Sequence, residues 1–393
     1  MGFLAAGLAL SGLIHAAVGW FAGDGFGIRS RTGRRRLAVA AAALSLSFPA
    51  GFFLLRLLPS PLTSGLYRVT AAGFGMAVHF ALAAAAWGVI RLFLPRAFPA
   101  PFFRAAAVGL AGLTLLACGF GFFRAFHPQV KRLAVAIEGL PEAWQGRRVV
   151  QLSDVHLGVF HGEGFLERLV AQVNALAPDL VVITGDLFDG MARGAVSRFV
   201  PGLRRLRAAH GVFFVAGNHE AYAGLESCRE AARAAGIRVL DHEAVEVEGV
   251  LLVGVAYPGV DDPAEIRNLP PAEGGKGKRA PRILLFHTPT DIRRDRFEDR
   301  RTATYWRPDT SFAWSRALGV DLQLSGHTHR GQIVPFHLAT GWICHGLDHG
   351  LHRRPGFLLH VSSGVGTWGP PLRTAAAAEI VEITLEAPQP AGD

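Results

Sequence analysis

Arg148-Val149-Val150-Gln151-Leu152-Ser153-Asp154-Val155-His156 is an apolar run that ends on two side chains able to hold a metal ion. Its first five residues read as a buried β-strand, and a strand that stops at Asp154 and His156 presents both at the edge of a sheet. The same order recurs along the chain. Leu180–Thr184 runs into Gly185-Asp186, residues 212–216 into Gly217-Asn218, residues 283–286 into His287, and residues 322–324 into the stretch Gly326-His327-Thr328-His329. Between them lie helical stretches, the alternation of an α/β domain. Strand ends are where a rigid sheet brings side chains from distant segments to one point, so five segments are expected to share one site.

Asp154, His156, Asp186, Asn218, His287, His327 and His329 are all oxygen or imidazole donors, suited to hard or borderline divalent ions, and they suffice for two. Two ions side by side clamp a phosphate, generate hydroxide at neutral pH and stabilise a leaving oxygen, so the set points to phosphoester hydrolysis. If Asp154-Val155-His156 and His327-Thr328-His329 are extended, alternate side chains share a face and each pair can serve one ion. Gly326 would let the backbone turn tightly into the site. Asp186, with two carboxylate oxygens, is the natural bridge. Singly these residues mean little, since a lone Asp-x-His is commonly a surface pair. Their joint order, each after a strand, carries the reading.

The chain has 393 residues, half of them apolar, and a mean hydropathy of +0.28, which is high for a soluble protein. The apolar content is uneven. Up to about Arg124 the chain is Ala, Leu, Gly and Phe with few charges, and from Val130 onward apolar and charged blocks alternate. Four stretches, roughly 1–22, 37–58, 67–94 and 102–124, are long enough to span a bilayer. The first lacks the basic start of a cleavable signal and further spans follow it. Arg29, Arg31, Arg34, Arg35 and Arg36 lie between the first two spans, and Arg91, Arg96 and Arg104 flank the third loop. Basic loops are retained in the cytoplasm, so both termini and the globular half are expected outside it, with a cytoplasmic globular half as the alternative. The net charge of +9 belongs largely to arginines at span edges, where lipid headgroups are the partner, and no nucleic-acid role is expected. Cys118, Cys228 and Cys344 are too widely spaced for a thiolate metal site or a disulfide framework. His15 and His79 fall inside spans, where the expectation is a neutral histidine hydrogen-bonded between helices rather than a cofactor ligand or proton relay. Pro49 is expected to kink the second span.

Asp154-x-His156, Gly185-Asp186-x-x-Asp189, Gly217-Asn218-His219-Glu220, His287 and Gly326-His327-x-His329 together resemble the motif series of the calcineurin-like metallophosphoesterases, over residues 147–385. The tail Ser362-Ser363-Gly364-Val365-Gly366-Thr367-Trp368, with Pro371-Leu372-Arg373 and Glu379-Ile380 beyond it, further resembles their branch of membrane-associated bacterial phosphodiesterases. The resemblance implies an α/β fold, a four-layer α/β/β/α sandwich of two facing mixed sheets, here preceded by an all-α transmembrane domain of four helices. It implies Asp154, His156, Asp186 and His329 around one divalent ion and Asp186, Asn218, His287 and His327 around a second. Manganese, iron and zinc all suit these donors. It further implies in-line attack on phosphorus by a metal-bridging hydroxide, with His219 binding phosphate and protonating the leaving oxygen and Asp189 orienting that histidine.

The expected organisation is a transmembrane domain over 1–126, a linker over 127–146, the phosphoesterase domain over 147–385 and a disordered tail over 386–393. The expected protein is an integral enzyme of the bacterial inner or plasma membrane that cleaves a phosphodiester or pyrophosphate bond. Tethering favours a lipid-linked substrate or a nucleotide-linked one, since some relatives cleave the pyrophosphate of an acylated UDP-sugar. A phosphomonoesterase or cyclic-nucleotide phosphodiesterase is the competing enzyme reading, and a membrane sensor or scaffold the non-enzyme one. An insertion between His287 and Asp321 holds Arg293, Arg294, Arg296, Arg300, Arg301, Tyr305, Trp306 and Trp314. It reads as a salt-bridged cap or as a lid for anionic groups. His345, His349 and His352 read as loop residues, Arg330 as a substrate contact or a solvated charge, and residues 274–279 as a flexible connector.

Overall fold

The structure, a computed structural model, describes residues 2–94, 98–191, 195–272, 279–294 and 308–388. It divides into two compact units, one of Met1–Arg124 with Gly369–Thr374, the other of Ala125–Trp368 with Ala375–Asp393.

The first unit holds α1 (Gly2–Gly25), α2 (Arg31–Leu57), α3 (Pro61–Phe93) and α4 (Ala100–Phe126), each long and apolar enough to cross a membrane. The helices overrun the apolar stretches that announce them. α2 begins at Arg31, so Arg31, Arg34, Arg35 and Arg36 ride on its first turns instead of in a loop. Arginine is a good helix former, and Ser30 caps the end by accepting the Gly33 N–H at 3.1 Å. α3 likewise starts early, behind a capping box between Ser60 and Thr63. Within the unit Trp87 packs edge-to-face against Phe21 and Phe103, and its indole N–H donates to Asp24 at 2.9 Å. Both intramembrane histidines are hydrogen-bonded. His15 Nδ1 lies 2.9 Å from the Ser11 carbonyl of its own helix. His79 Nδ1 lies 2.9 Å from the Gly75 carbonyl, and its Nε2 meets Thr374, not a neighbouring helix, at 2.9 Å.

Among the described residues the second unit is built on twelve strands: β1 (Gln129–Ala136), β2 (Arg148–Leu152), β3 (Leu180–Thr184), β4 (Val212–Val215), β5 (Arg238–Val239), β6 (Glu243–Val247), β7 (Val250–Val255), β8 (Arg282–Phe286), β9 (Leu322–Ser325), β10 (Gly350–Arg354), β11 (Phe357–Val361) and β12 (Glu379–Glu386). They form two six-stranded mixed sheets, in the orders β1-β12-β2-β3-β4-β5 and β10-β11-β9-β8-β7-β6. Helices α5 (Glu163–Ala175), α6 (Val200–Leu203), α7 (Asn218–Ala223), α8 (Leu225–Ala234), α9 (Ala313–Ala317) and α10 (Phe336–Ile343) complete the unit.

Alternation along the strands assigns the layers. Val149, Leu180, Val182 and Val215 of the first sheet share one core with Leu252, Ile283, Leu285 and Leu324 of the second, so these faces meet. Val150, Val181 and Ile183 point the other way, into a core with α5 and α8, while Leu284 and Phe286 join an outer core with Phe312 and Trp314. Strands covered on both faces read as continuous apolar runs, which is why they stand out in the sequence. The result is the four-layer α/β/β/α sandwich. A polar bridge crosses the central core. Gln151 Nε2 donates to Thr184 Oγ1 at 3.0 Å and to the Ser325 carbonyl at 2.9 Å, and Gln151 Oε1 lies 2.8 Å from His360 Nδ1.

Strand β1, paired in parallel with β12 from Gln129↔Glu379 to Ala136↔Glu386, lies in the stretch read as a linker. Of the insertion after His287, Arg296, Arg300, Arg301, Tyr305 and Trp306 lie outside the described residues. Arg293 stacks over Trp314 at 4.8 Å, and Arg294 pairs with Asp261 at 2.8 Å and Glu265 at 3.5 Å. Residues 274–278 and 389–393 are also outside the described residues. His345 follows α10, and His349 sits 3.5 Å from Glu379, beside Lys131.

Candidate metal centre

β2, β3 and β4 of one sheet and β8 and β9 of the other each end within a few residues of a candidate ligand. Their ends converge. His156 Nε2 lies 3.0 Å from His329 Nε2, and His329 Nε2 lies 3.3 Å from Asp154 Oδ1. On the other side of Asp186, His287 Nε2 lies 3.2 Å from Asp186 Oδ2, 3.1 Å from Asn218 Oδ1 and 3.2 Å from His327 Nδ1. His156 Nε2 approaches Asp186 Oδ2 at 3.8 Å, which makes Asp186 the common member of both groups. All seven predicted ligands are thus brought together. They are buried except for His327, which is half-buried.

The means of convergence differs from the extended segments expected. Asp154, His156 and Asp186 have φ of 52, 51 and 52°, and His327 and His329 have φ of 71 and 49°. Left-handed backbone at residues with a Cβ costs roughly 1–2 kcal/mol each, and such outliers gather where a site demands them. Here they turn side chains inward from the strand ends, where a pleated continuation would space them along the sheet. Two glycines make room. A Cβ at Gly326 would collide with Ser153 Oγ and Asp154 Oδ2, and one at Gly217 with Asp186. Gly326 is thus required by close approach.

The donor set fits cations. Atoms with lone pairs face one another at 3.0–3.3 Å. Two donors bound at ~2.1 Å to one ion, at right or tetrahedral angles, stand about 3.0–3.4 Å apart. His287 Nδ1 lies 2.9 Å from the Thr184 carbonyl, which holds a ring proton there; burial disfavours charge on the ring, but Asp186 outweighs it and lifts His287 to about 10 in the metal-free protein, so Nε2 gives up its proton when an ion binds. His156 Nδ1 is buried with no hydrogen-bond partner. Burial, followed by the charge of His219, holds His156 well below the ordinary histidine range, and burial with His287 lowers His327 to about 4. Both imidazoles are therefore neutral, the form that binds metal. Burial pushes the Asp186 carboxyl up, but the His287 and His219 charges outweigh it and hold it well below the usual range. Ser153 Oγ donates to Asp154 Oδ2 at 2.6 Å and fixes that carboxylate.

His219 joins His156 and Asp186 in a group whose ligand-type atoms lie within 4.8 Å of one another. Its Nδ1 accepts the Gly190 N–H at 3.1 Å. Asp189 Oδ1 stands 3.8 Å from that nitrogen, an ion-pair distance beyond hydrogen bonding, and accepts the Met191 N–H at 3.0 Å. Burial disfavours charge on His219, but Asp186 and Asp189 outweigh it and lift the ring to about 8.

Glu220 is a residue to which sequence reasoning gave no role. Its Oε2 accepts the backbone N–H groups of Gly217 at 2.7 Å and Asp186 at 3.0 Å, and its Oε1 that of Phe188 at 2.9 Å. It ties the Gly-Asp loop to the Gly-Asn-His loop. The signal was present as a glutamate three residues after Gly217, the N-cap of α7, which is the capping-box position. Gln332 was also missed. Its side chain brackets Trp368, accepting from the Trp368 N–H at 2.9 Å and donating to its carbonyl at 3.1 Å.

Comparison with known proteins agrees with this geometry. The family model for calcineurin-like phosphoesterases matches residues 147–331. A metallophosphoesterase of Helicobacter pylori is 31% identical over 290 residues, covering 70% of this chain and 69% of its own. A zebrafish (Danio rerio) transmembrane protein with metallophosphoesterase domain is 32% identical over 302 residues, covering 72% of this chain and 63% of its own. With the donor cluster in place and relatives of this closeness, the chain belongs to the calcineurin-like metallophosphoesterases and is a metal-dependent phosphoester hydrolase carrying four membrane-crossing helices.

Proposed function

We propose that this membrane enzyme hydrolyses a phosphodiester or pyrophosphate bond in a lipid-linked or nucleotide-linked substrate, using two divalent ions held side by side. The observation that carries the reading is the pair of donor groups meeting at Asp186, one with His156 and one with His287 and His327. Asp154, His156, Asp186 and His329 hold one ion, and Asp186, Asn218, His287 and His327 the other. Manganese, iron and zinc suit this mixture of imidazole and carboxylate. Bound there, such ions supply a nucleophile at neutral pH and offset the charge that develops on the phosphoryl oxygens.

The chain's own residues do the rest. His219, lifted to about 8, carries a proton at neutral pH and delivers it from Nε2 to the leaving oxygen. In the charged ring Nδ1 carries the second proton, and the Asp189 carboxylate, 3.8 Å away, is the anion that faces it. Thr184 and Ser153 lock the orientation of His287 and Asp154. The helices confine the site to the neighbourhood of a bacterial inner membrane, where a lipid-linked substrate is concentrated. The basic residues at the ends joining α1 to α2 and α3 to α4 favour a catalytic unit on the extracytoplasmic side.

The test uses the detergent-purified full chain. Metal analysis is expected to give about two ions per chain, the number two donor groups would hold. Bis-nitrophenyl phosphate is expected to turn over faster than the monoester. A monoester preference overturns the diesterase reading, and retained metal without hydrolysis of any phosphoester favours a sensor. A screen of vesicle-borne phospholipids and nucleotide lipids against soluble nucleotides decides the substrate class.

A further inference from the structure

Helix α10, Phe-His-Leu-Ala-Thr-Gly-Trp-Ile, contains no Asp, Glu, Lys or Arg, and none of its residues is buried. Leu338 is 67% exposed and Trp342 78%. One turn apart, they share a face, with Ala339 beside them. A helix on a water-facing surface hides its apolar stripe, and this one presents it. Trp368, 57% exposed, is tied to the same region through Gln332, which lies between His329 and α10.

What covers this face follows from the path of the chain. Trp368 is followed directly by Gly369–Thr374, which belong to the membrane unit. Within that unit Leu372 fills notches left by two glycines: a Cβ on Gly75 of α3 would stand 3.3 Å from its side chain, and one on Gly121 of α4 2.7 Å. Gly75 precedes the end of α3 at Phe93 by 18 residues, and Gly121 follows the start of α4 at Ala100 by 21. At 1.5 Å per residue both lie about 27–32 Å from the far ends of their helices, one hydrocarbon thickness. Leu372 therefore marks the edge of the hydrocarbon core. Trp368, four residues earlier, is at most about 14 Å of extended chain away. The headgroup layer, where indole rings gather, begins at that edge.

We propose that Leu338 and Trp342 of α10, together with Trp368, form a docking surface for the bilayer that the chain's own helices cross. The three side chains rest in the headgroup layer, and exposed Arg330 adds a cation for anionic lipid. Docking also steadies the ligand set. His329, Arg330, Gly331 and Gln332 all have positive φ, so α10 is joined to a candidate ligand by a strained turn, and holding the helix holds the turn.

The inference does not depend on the substrate being a lipid, and its test needs no substrate. The full chain is placed in nanodiscs whose acyl chains are brominated either near the headgroup or near the chain end. Tryptophan emission is compared between the unaltered protein and the Trp342→Phe, Trp368→Phe and Trp20→Phe variants. The emission lost in the first two is expected to be quenched most by bromine near the headgroup, and Trp20 in α1 serves as the membrane control. If the Trp342 and Trp368 contributions are untouched by either lipid while the Trp20 contribution is quenched, the surface does not dock. Should the tryptophan variants fail to fold, a solvatochromic label on Leu338→Cys gives the same decision, since Cys118, Cys228 and Cys344 are buried. Blue-shifted emission in nanodiscs supports docking, and water-like emission overturns it.

Discussion

Replacing Glu220 with glutamine tests the idea that a buried carboxylate, and not the ligands alone, builds the site. Glu220 accepts three backbone N–H bonds, from Gly217, Asp186 and Phe188. Glutamine retains one acceptor oxygen. In its better orientation that oxygen stays between Gly217 and Asp186, and its amide N–H₂ is turned against the Phe188 N–H. One charge-assisted bond worth about 1.5–3 kcal/mol is lost, and a buried donor is left unpaired at about 1–3 kcal/mol. Because the two figures overlap, we expect a destabilisation of about 2–4 kcal/mol, or roughly 5–15 °C in the melting temperature of a unit of this size. Metal content should fall as well, because the Phe188 N–H, two residues beyond Asp186, loses the bond that anchors the Gly-Asp loop. pH matters here. Burial and the Asp186 charge raise the Glu220 carboxyl to about 7 in the metal-free protein. As pH falls through that value the unaltered carboxylate takes up a proton and loses the same acceptor, so the difference between the two proteins narrows. The comparison is therefore made at pH 8, by near-ultraviolet circular dichroism on heating and by metal analysis of the purified chains. A Glu220→Gln protein with unaltered melting, metal content and turnover at pH 8 would refute the reasoning.

Asp186→Asn should abolish bound metal and lower turnover by more than the roughly 10–100-fold that loss of an outer partner costs, as read by metal analysis and nitrophenyl ester hydrolysis. Gly326→Ala drives a methyl into Ser153 and Asp154, and should cost about 1–3 kcal/mol in denaturant unfolding with a parallel loss of metal. His360, buried between the sheets, is lowered to about 3 by desolvation against an ordinary 6.5. It stays neutral in the fold while the unfolded chain takes up a proton, so its contribution is intact above about pH 6.5 and lost as pH falls toward 3. His360→Gln should therefore flatten the acid dependence of stability by about 1.4 kcal/mol per pH unit across that window, measured by urea unfolding between pH 7 and 4.

The strands that lead into the site were readable to within a residue, β2 and β3 to the residue, because runs such as Leu180–Thr184 are apolar on both faces and stop abruptly at a polar donor. The seven side chains were readable as a group because few other roles call for Asp, Asn and His in that order, and the fold brings them together. The backbone at the donors was not. Nothing in Asp-Val-His specifies φ of 52 and 51°, a conformation imposed by packing and not preferred locally. Strand β1 was hidden for another reason. Its partner β12 lies some 250 residues away, and only one of its residues is buried, so no period marks it. Residues 369–374 were too short for any hydropathy window to join them to the membrane helices.

The donors come from both sheets, four following β2, β3 and β4 and three following β8 and β9. A slip of one residue between sheets would shift one set by about 3.3 Å against the other. That exceeds any metal bond's tolerance. With ions held as proposed, bound metal would act as a rivet through the seam between the two sheets, and thermal inactivation and sheet separation should then be one event, not two.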